Sequence, residues 1–384
     1  MERINFYNTG IQLKDNRTDV AGYLHGVQSV GGSMSVNVFN IPDLGRVSSV
    51  DYEGISSFSI DIERAIGNYS DNSSYIFGPI LHHIFSISDT KFPKATGPTS
   101  YKNSFFLSNF GHSSTGNLPT DIKDFDIRLA TKDLQYTEES TIEYDYVFRK
   151  CLIKSIDYTI DVGSFLKERI SLESKIRLEP TDPEFSKYII NLNETTPLSE
   201  RINIVRGHNF DKENSTLPTF LEDLCNNAFF VDNFIVKGIQ NIGMSLSMDY
   251  SSPIDTGNVL GAADNEDVNI FKFAKVPLDI SIKFGITAQK EIPEIILKDA
   301  NFGQSKIIIV FRCPDNDPNS NTPNYLVFHF GKRNRLMSIS KSGGSTSGEA
   351  VSYDFEYKNT HNDFCCYFTN NTNFSLIEES TEKF

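Results

Sequence analysis

Residues 26–47 read GVQSVGGSMSVNVFNIPDLGRV, and residues 238–259 read GIQNIGMSLSMDYSSPIDTGNV. Aligned without gaps at a constant offset of 212, the two stretches share eight of twenty-two positions. The identities are Gly26/Gly238, Gln28/Gln240, Gly31/Gly243, Ser33/Ser245, Ser35/Ser247, Asp43/Asp255, Gly45/Gly257 and Val47/Val259. Most replacements are mild, as in Val27/Ile239, Val30/Ile242 and Met34/Leu246. Internal repetition bears on architecture before it bears on chemistry. It implies two related units in one chain, and a tandem pair points to assembly more than to catalysis.

Both copies alternate in polarity. Val30, Met34, Val36 and Val38 share one face of the first, with Ser29, Ser33, Ser35 and Asn37 opposite. In the second, Ile242, Met244, Leu246, Met248 and Tyr250 oppose Asn241, Ser245, Ser247 and Asp249. A period of two with one apolar face is a half-buried strand. The Asp-x-Gly that follows each copy, Asp43-Gly45 and Asp255-Gly257, is turn chemistry. Each copy is followed by another alternating segment, ISSFSIDIERAI (55–66) and VPLDISIKFGIT (276–287).

Each half also ends alike. EYDYVFRKCLIKSIDYTIDVGSFLKERISLES (143–174) implies two successive strands, a Gly turn and a third strand; 324–358 repeats that order. With a gap, Val147-Phe148 matches Val327-Phe328, and Glu168-x-Ile170-Ser171 matches Glu349-x-Val351-Ser352. The expected organisation is an arm at 1–19, a first β domain at 20–175 with an insert at 67–142, a connector at 176–231, and a second β domain at 232–384. Short helices are expected at 217–230, capped by Thr219, and at 73–88. The Ser/Asn/Gly/Pro-rich stretch from about 89 to 140 reads as long loops.

Length and composition agree with that plan. A chain of 384 residues suits two domains. Phe 30 and Tyr 16 supply large buried areas to close two cores, although hydrophobic residues make up only 39%. A net charge of −14 argues against tight nucleic-acid binding, which needs Lys and Arg to neutralise phosphates. An acidic surface instead keeps a passing polyanion from sticking. Five irregularly spaced cysteines without a CxxC imply synthesis in a reducing compartment. The first residues, MERINFYNTG, lack the basic and apolar regions of a signal peptide, and no run of apolar residues is long enough to span a membrane.

The motifs that could carry chemistry are weak. Adjacent His82 and His83 diverge on a helix and have no further ligand at suitable spacing. Asp315-x-Asp317-x-Asn319 opens like a calcium loop but has Ser320 at the sixth position and Leu326 at the twelfth. SGGSTSGE (342–349) lacks the Lys-Ser/Thr of a phosphate loop. No serine sits in a GxSxG elbow, and no pair of carboxylates is nominated for acid–base work. The expectation is no catalytic residue, no metal, no cofactor and no enzyme activity.

The run IDYTIDVGSFLKERISLES resembles a stretch common in the tail tube proteins of tailed bacteriophages, where an alternating strand leads through a short turn into another strand. GVQSVGGSMSVNV…DLGRV is similar to the long inner hairpin of that family, and LMSIS…SGEAVSYDFEY to its last hairpin. The chain departs from the single-domain form by its duplication and by the 67–142 insert. The resemblance implies a mainly β fold: two tandem tail-tube-like β-sandwich domains with short flanking helices and a loop-rich insert. It implies a structural virion protein, assembled in the cytoplasm of a host bacterium, whose rings stack into a DNA-conducting tube. Inner strands would pair edge to edge between units. With two units per chain, a homotrimer would give a ring of pseudo-sixfold symmetry, in contact with other tail proteins, with DNA passing non-specifically and no membrane involved. Ser29, Ser33, Ser35, Asn37, Asn241, Ser245, Ser247 and Asp249 would then line the lumen. The alternatives are another virion or secretion-tube component, or a carbohydrate-binding or adhesive tandem β-sandwich.

Overall fold

The computed structural model describes residues 9–15, 21–35, 38–42, 49–53, 57–67, 75–80, 102–106, 125–132, 142–188, 204–207, 210, 227–232, 234–251, 273–274, 279–287, 304–313, 325–343, 351–359 and 364–369. These residues are almost all β-strand. In chain order the strands of the first repeat are β1 (Thr9–Asp15), β2 (Ala21–Leu24), β3 (Val27–Ser35), β4 (Val38–Pro42), β5 (Ser49–Glu53) and β6 (Ser57–Ala65). They continue with β7 (Tyr75–Ile76), β8 (Lys102–Phe106), β9 (Phe125–Lys132), β10 (Ile142–Asp161), β11 (Lys167–Ser174) and β12 (Ile176–Leu178). The second repeat holds β13 (Ala228–Val231), β14 (Phe234–Ile235), β15 (Ile239–Ser247), β16 (Tyr250–Ser251), β17 (Phe273–Ala274) and β18 (Asp279–Thr287). It closes with β19 (Ile307–Arg312), β20 (Tyr325–His329), β21 (Asn334–Ser342), β22 (Ser352–Asn359) and β23 (Cys365–Thr369).

Two units divide the chain. The first comprises Met1–Ile80, Asp124–Lys154 and Lys167–Ile204; the second comprises Leu81–Lys123, Ser155–Leu166 and Val205–Phe384. Strand β10 therefore gives residues 142–154 to the first unit and 155–161 to the second.

In the first unit, β3 pairs antiparallel with β6 and β6 with β11, while β1 pairs with β2 and β9, and β9 with β10. The two layers meet through apolar side chains: Ile60, Ile62, Ile170 and Leu172 are buried on one, Ile127 and Val147 on the other. Phe58 of β6 meets Phe148 of β10 edge-on at 5.8 Å. In the second unit, β15, β18, β22 and β21 form one layer in that order, and β14, β13, β19, β20, β23 and β8 the other. Phe229 of β13 lies 4.6 Å from Phe284 of β18, joining those layers. Rings pack across such cores because each buries a large area with few rotamers to freeze.

The duplication is visible in the backbone. Val30 pairs with Ile62 and Ile242 with Phe284; Ser35 pairs with Ser57 and Ser247 with Asp279. Both ladders carry an irregularity at the same place, skipping Gln28 between Val27 and Ser29 and Gln240 between Ile239 and Asn241. Gly26 and Gly238 precede them with φ of 74° and 75°, a conformation that costs glycine little and other residues much. Each glycine carbonyl accepts from the last residue of the partner strand, Ala65 N at 2.8 Å and Thr287 N at 2.9 Å. Each skipped glutamine donates its Nε2 to the same glycine carbonyl, at 3.2 and 3.3 Å. The outer layers correspond too: β12 pairs with β10 at Val147 as β23 pairs with β20 at Val327.

Several expectations need correction. Glu168 does not correspond to Glu349. Ile62 and Phe284 hold equivalent places beside β3 and β15, and their outer partners are Ile170 and Phe355, so Glu168 corresponds to Tyr353. The gapped match followed polarity, and polarity is preserved by any even slip along a strand. Residues 143–161 form one strand with a bulge near Lys150 (φ 52°), where two strands were expected. The end of the helix predicted at 217–230 is strand β13, and Tyr75–Ile76 of the helix predicted at 73–88 is strand β7. Tertiary pairing outweighs weak helical signals in such short apolar runs. Among the described residues the helical pieces are a 3-10 turn at Phe185–Tyr188 and Ile80. Within the stretch read as loops, β9 is a buried sheet strand and β8 pairs with β23. Thr9–Asp15, in the expected N-terminal arm, pairs with β9 along its whole length.

Candidate assembly edges and polar sheet face

The repeated strands sit in unequal surroundings. In the second unit β15 is hydrogen-bonded on both sides. β18 lies along one edge, and residues 155–161 of β10 lie antiparallel along the other, from Ser155 opposite Ser247 to Asp161 opposite Asn241. Ile156, Tyr158 and Ile160 meet Leu246, Met244 and Ile242 in this seam, and all six are buried. A strand from the first repeat thus completes the inner sheet of the second.

Among the described residues, β3 pairs only with β6, and β21 beyond its bridge at Asn334 pairs only with β22. Along β3 no residue is buried, and along β21 only Asn334 is. Met34 is 55% exposed, Met337 58% and Ile339 37%. These side chains lie on strands with one free row of backbone N–H and C=O groups, which is a template for further pairing.

Beside Met34 lies a groove of about 420 Å³ with an apolar floor of Met34 and Phe58. Its polar wall is formed by Arg177, Glu179, Thr181 and Asp182, with Pro183 beside them. Residues 179–188 are held over it by local bonds, Asp182 N to Glu179 O and Phe185 N to Asp182 O, both 2.9 Å.

The other face of the inner sheets is polar. In the second unit, cross-strand rows run Asp157–Ser245–Ser281–Lys358 and Thr159–Gly243–Lys283–Glu356. In the first unit the equivalent face carries Ser33 beside Ser59 and Gly31 beside Asp61. The hydroxyls of Ser35 and Ser57 are 2.6 Å apart. Of the residues expected on this face, Ser29, Ser33, Ser35, Asn241, Ser247 and Asp249 are exposed and Ser245 is half-buried. Asn241 is also tied down, its Oδ1 accepting from Gly285 N at 3.0 Å. Asn37 and the turn residues Asp43, Gly45, Asp255 and Gly257 lie outside the described residues.

The repeated strands carry no Lys or Arg on this face, but their neighbours do, which sequence alone did not reveal. The lysines are ion-paired: Lys283 with Glu356 at 3.2 Å, Lys358 with Asp279 at 2.8 Å, and Lys167 with Glu63 at 3.4 Å. Pairing within the sheet offsets these lysines; Arg169 opposite Glu63 and Arg335 opposite Lys358 add exposed cations to the same face, and Asp157 and Asp161 add carboxylates. Such exposed pairs contribute little stability but set the sign of the local field.

Two buried polar groups distinguish the repeats. Arg64 and Glu168 form a fully buried ion pair of 2.6 Å. Arg64 also donates to the carbonyls of Ile76 (2.9 Å) and Gly78, and Glu168 accepts from Ile80 N at 2.8 Å. In the second repeat the equivalent positions hold Ile286 and Tyr353, which pair opposite each other. His329 is buried; burial first, then the charges of Lys306 and Lys332, lowers its pKa from 6.5 to about 3. Its Nδ1 accepts from Gly331 N at 3.0 Å, as a neutral imidazole requires.

Among the described residues no group of three His, Cys, Asp or Glu is placed to hold a metal ion, and no helix is long and apolar enough to cross a membrane. Cys151, Cys313 and Cys366 are buried. His82, His83, Asp315, Asp317 and Asn319 lie outside the described residues. No protein-family model matches the chain, and no match is found among curated protein sequences.

Proposed function

We propose that this chain is a structural subunit of a bacteriophage tail tube. It forms rings whose inner sheets join edge to edge, and the rings stack into the channel through which DNA leaves the capsid. The observation that carries this reading is the seam inside the second unit, where residues 155–161 complete the sheet of β15. One chain already joins strands from its two repeats in this way. Among the described residues it keeps one unpaired edge of each kind, β3 and β21. The polar face of these sheets lines the lumen, and Lys283 and Lys358 on it are ion-paired within the sheet, which weakens their hold on a phosphate backbone. Three copies close a ring of six repeats, since a heterologous contact must close on itself or run on as a filament. Other tail proteins cap the ends, and the protein acts without cofactor or catalysis.

Electron microscopy of the purified protein over a wide concentration range tests the reading. Rings or rods of uniform width with an open centre are expected; a monomer at every concentration rejects it. Ser33→Lys with Ser245→Lys places cations on the face assigned to the lumen. Phage carrying both should lose infectivity at DNA passage or assembly, and wild-type infectivity rejects that placement.

A further inference from the structure

We infer that copies of this chain join head to tail, β21 of one copy adding antiparallel to β3 of the next, with Ile339 covering Gly32 and Met337 meeting Met34 at the groove floored by Phe58. The inference rests on the ring reading for its setting, and its residues come from the internal seam. Asp161 ends β10 two residues before the left-handed Gly163 (φ 86°) and pairs with Asn241. Ser342 ends β21 just before the left-handed Gly343 (φ 81°), and Ser29 stands 212 residues before Asn241. Pairing Ser342 with Ser29 therefore copies the seam between molecules.

That register also satisfies both faces. It sets Ser340 beside Gly31 and Ser338 beside Ser33 on the polar side, and Ile339 beside Gly32 on the side facing the core. Within their own sheets Ile339 pairs with buried Phe355 and Gly32 with buried Ile60, so each already faces a core. A slip by one residue would put Ile339 among the serines. The exposed large apolar side chains among the described residues are Met34, Val162, Phe234, Met337 and Ile339, and three of these five fall in this contact. Backbone pairing supplies the affinity and the alternating side chains the register.

The copied seam is weaker than the original. Where Tyr158 meets Met244 internally, Ile339 meets a bare glycine; where Ile160 meets Ile242, Lys341 meets Val30. A glycine pair and an inward-facing lysine are devices that keep an open edge from pairing indiscriminately. The repeats of one chain are thus joined firmly and successive chains reversibly.

Cysteine cross-linking of the full chain tests this. Protein with Ser33→Cys is mixed with protein carrying Ser338→Cys under mild oxidation, with wild type as background for the native cysteines. Asp157→Cys with Ser245→Cys, opposite each other in the internal seam, serves as positive control. The mixture should give a covalent dimer several-fold above either variant alone, and the chain bearing both substitutions should give a closed oligomer. Dimers from either single variant alone mean that like edges pair, which overturns the inference. A closed internal control with no product from the mixture overturns it as well. The tube reading fails separately: cross-linked rings that never stack keep this contact and reject the tube, whereas tubes that form without the cross-link reject the contact alone.

Discussion

Strand β15 has partners on both edges and buries Ile242, Met244 and Leu246, whereas β3, built on the same frame 212 residues earlier, has one partner among the described residues and leaves Met34 55% exposed. The two strands share the glycine entry, the skipped glutamine and the alternating pattern, so the difference does not come from the strand itself. It comes from what lies alongside. A repeat fixes the backbone frame, and burial is completed by the neighbour that the chain, or another copy of it, supplies. The same contrast recurs inside the two units. Arg64 and Glu168 stand where Ile286 and Tyr353 stand, and both pairs occupy equivalent places in the ladder. Only the charged pair reaches out to hold residues 76–80. The frame is common, and each polar substitution serves an attachment peculiar to its own repeat.

The strongest test of that contrast removes half of the buried pair. Glu168→Ala leaves the Arg64 guanidinium charged and unpaired with no exposed surface, which should cost about 3–5 kcal/mol of stability in the first unit. Importing the other repeat's solution, Arg64→Ile with Glu168→Tyr, should recover more than half of that loss, because an apolar pair of similar volume needs no compensation. Urea unfolding of both variants supplies the comparison. The restored protein should still be cut faster by protease near residues 76–80, whose carbonyl anchors it lacks. Equal stability of the single and double variants would show that the charges are not coupled.

How much of this could be read beforehand differs between the strands and their surroundings. Alternation placed β3, β6, β15 and β18 within about three residues, because one buried face imposes a period of two. The same alternation on 156–162 announced the seam strand but not its partner, since Ile156, Tyr158 and Ile160 look alike whichever sheet receives them. Glu168 shows the limit from the other side. In sequence it is a charged residue between Lys167 and Arg169, and the alternation puts it in phase with Ile170 and Leu172, but nothing names its partner Arg64, which lies 104 residues away. The lysines of the polar face show the same limit: Lys283 falls on the polar side of the alternation in 276–287, but nothing in sequence places that strand beside β15 or Lys358 one strand further out.

His329 sharpens the comparison between the outer layers, where its counterpart is Arg149, ion-paired with Glu184 at 2.6 Å. The folded state holds His329 neutral down to about pH 3, whereas the unfolded chain takes up a proton near 6.5. The unfolded state therefore binds more protons in that window. The contribution is whole above pH 6.5 and falls by about 1 kcal/mol per pH unit as the pH drops toward 3. Between pH 6.5 and 4.5 the second unit should lose on the order of 2 kcal/mol through this group. His329→Gln, which retains an acceptor for Gly331 N, should flatten that part of the stability curve. An unchanged slope would place the acid sensitivity elsewhere.

The finest comparison sets two glycines of the repeat against each other. Gly26 has φ 74°, and a Cβ there would lie 2.5 Å from the carbonyl oxygen of Ala65, an atom already fixed by the ladder. Gly26→Ala should therefore cost about 1–3 kcal/mol. Gly31 is shared by the repeats just as firmly, yet a Cβ there meets nothing within 4 Å. If its identity with Gly243 were a matter of folding, Gly31→Ala would destabilise; the geometry instead predicts a gain of up to about 1 kcal/mol, since glycine inside a strand costs backbone entropy. Thermal melting of the two variants separates the cases. A stabilised Gly31→Ala protein that assembles poorly would place the constraint on the polar face outside the folded chain, where the bare backbone lies open on that face.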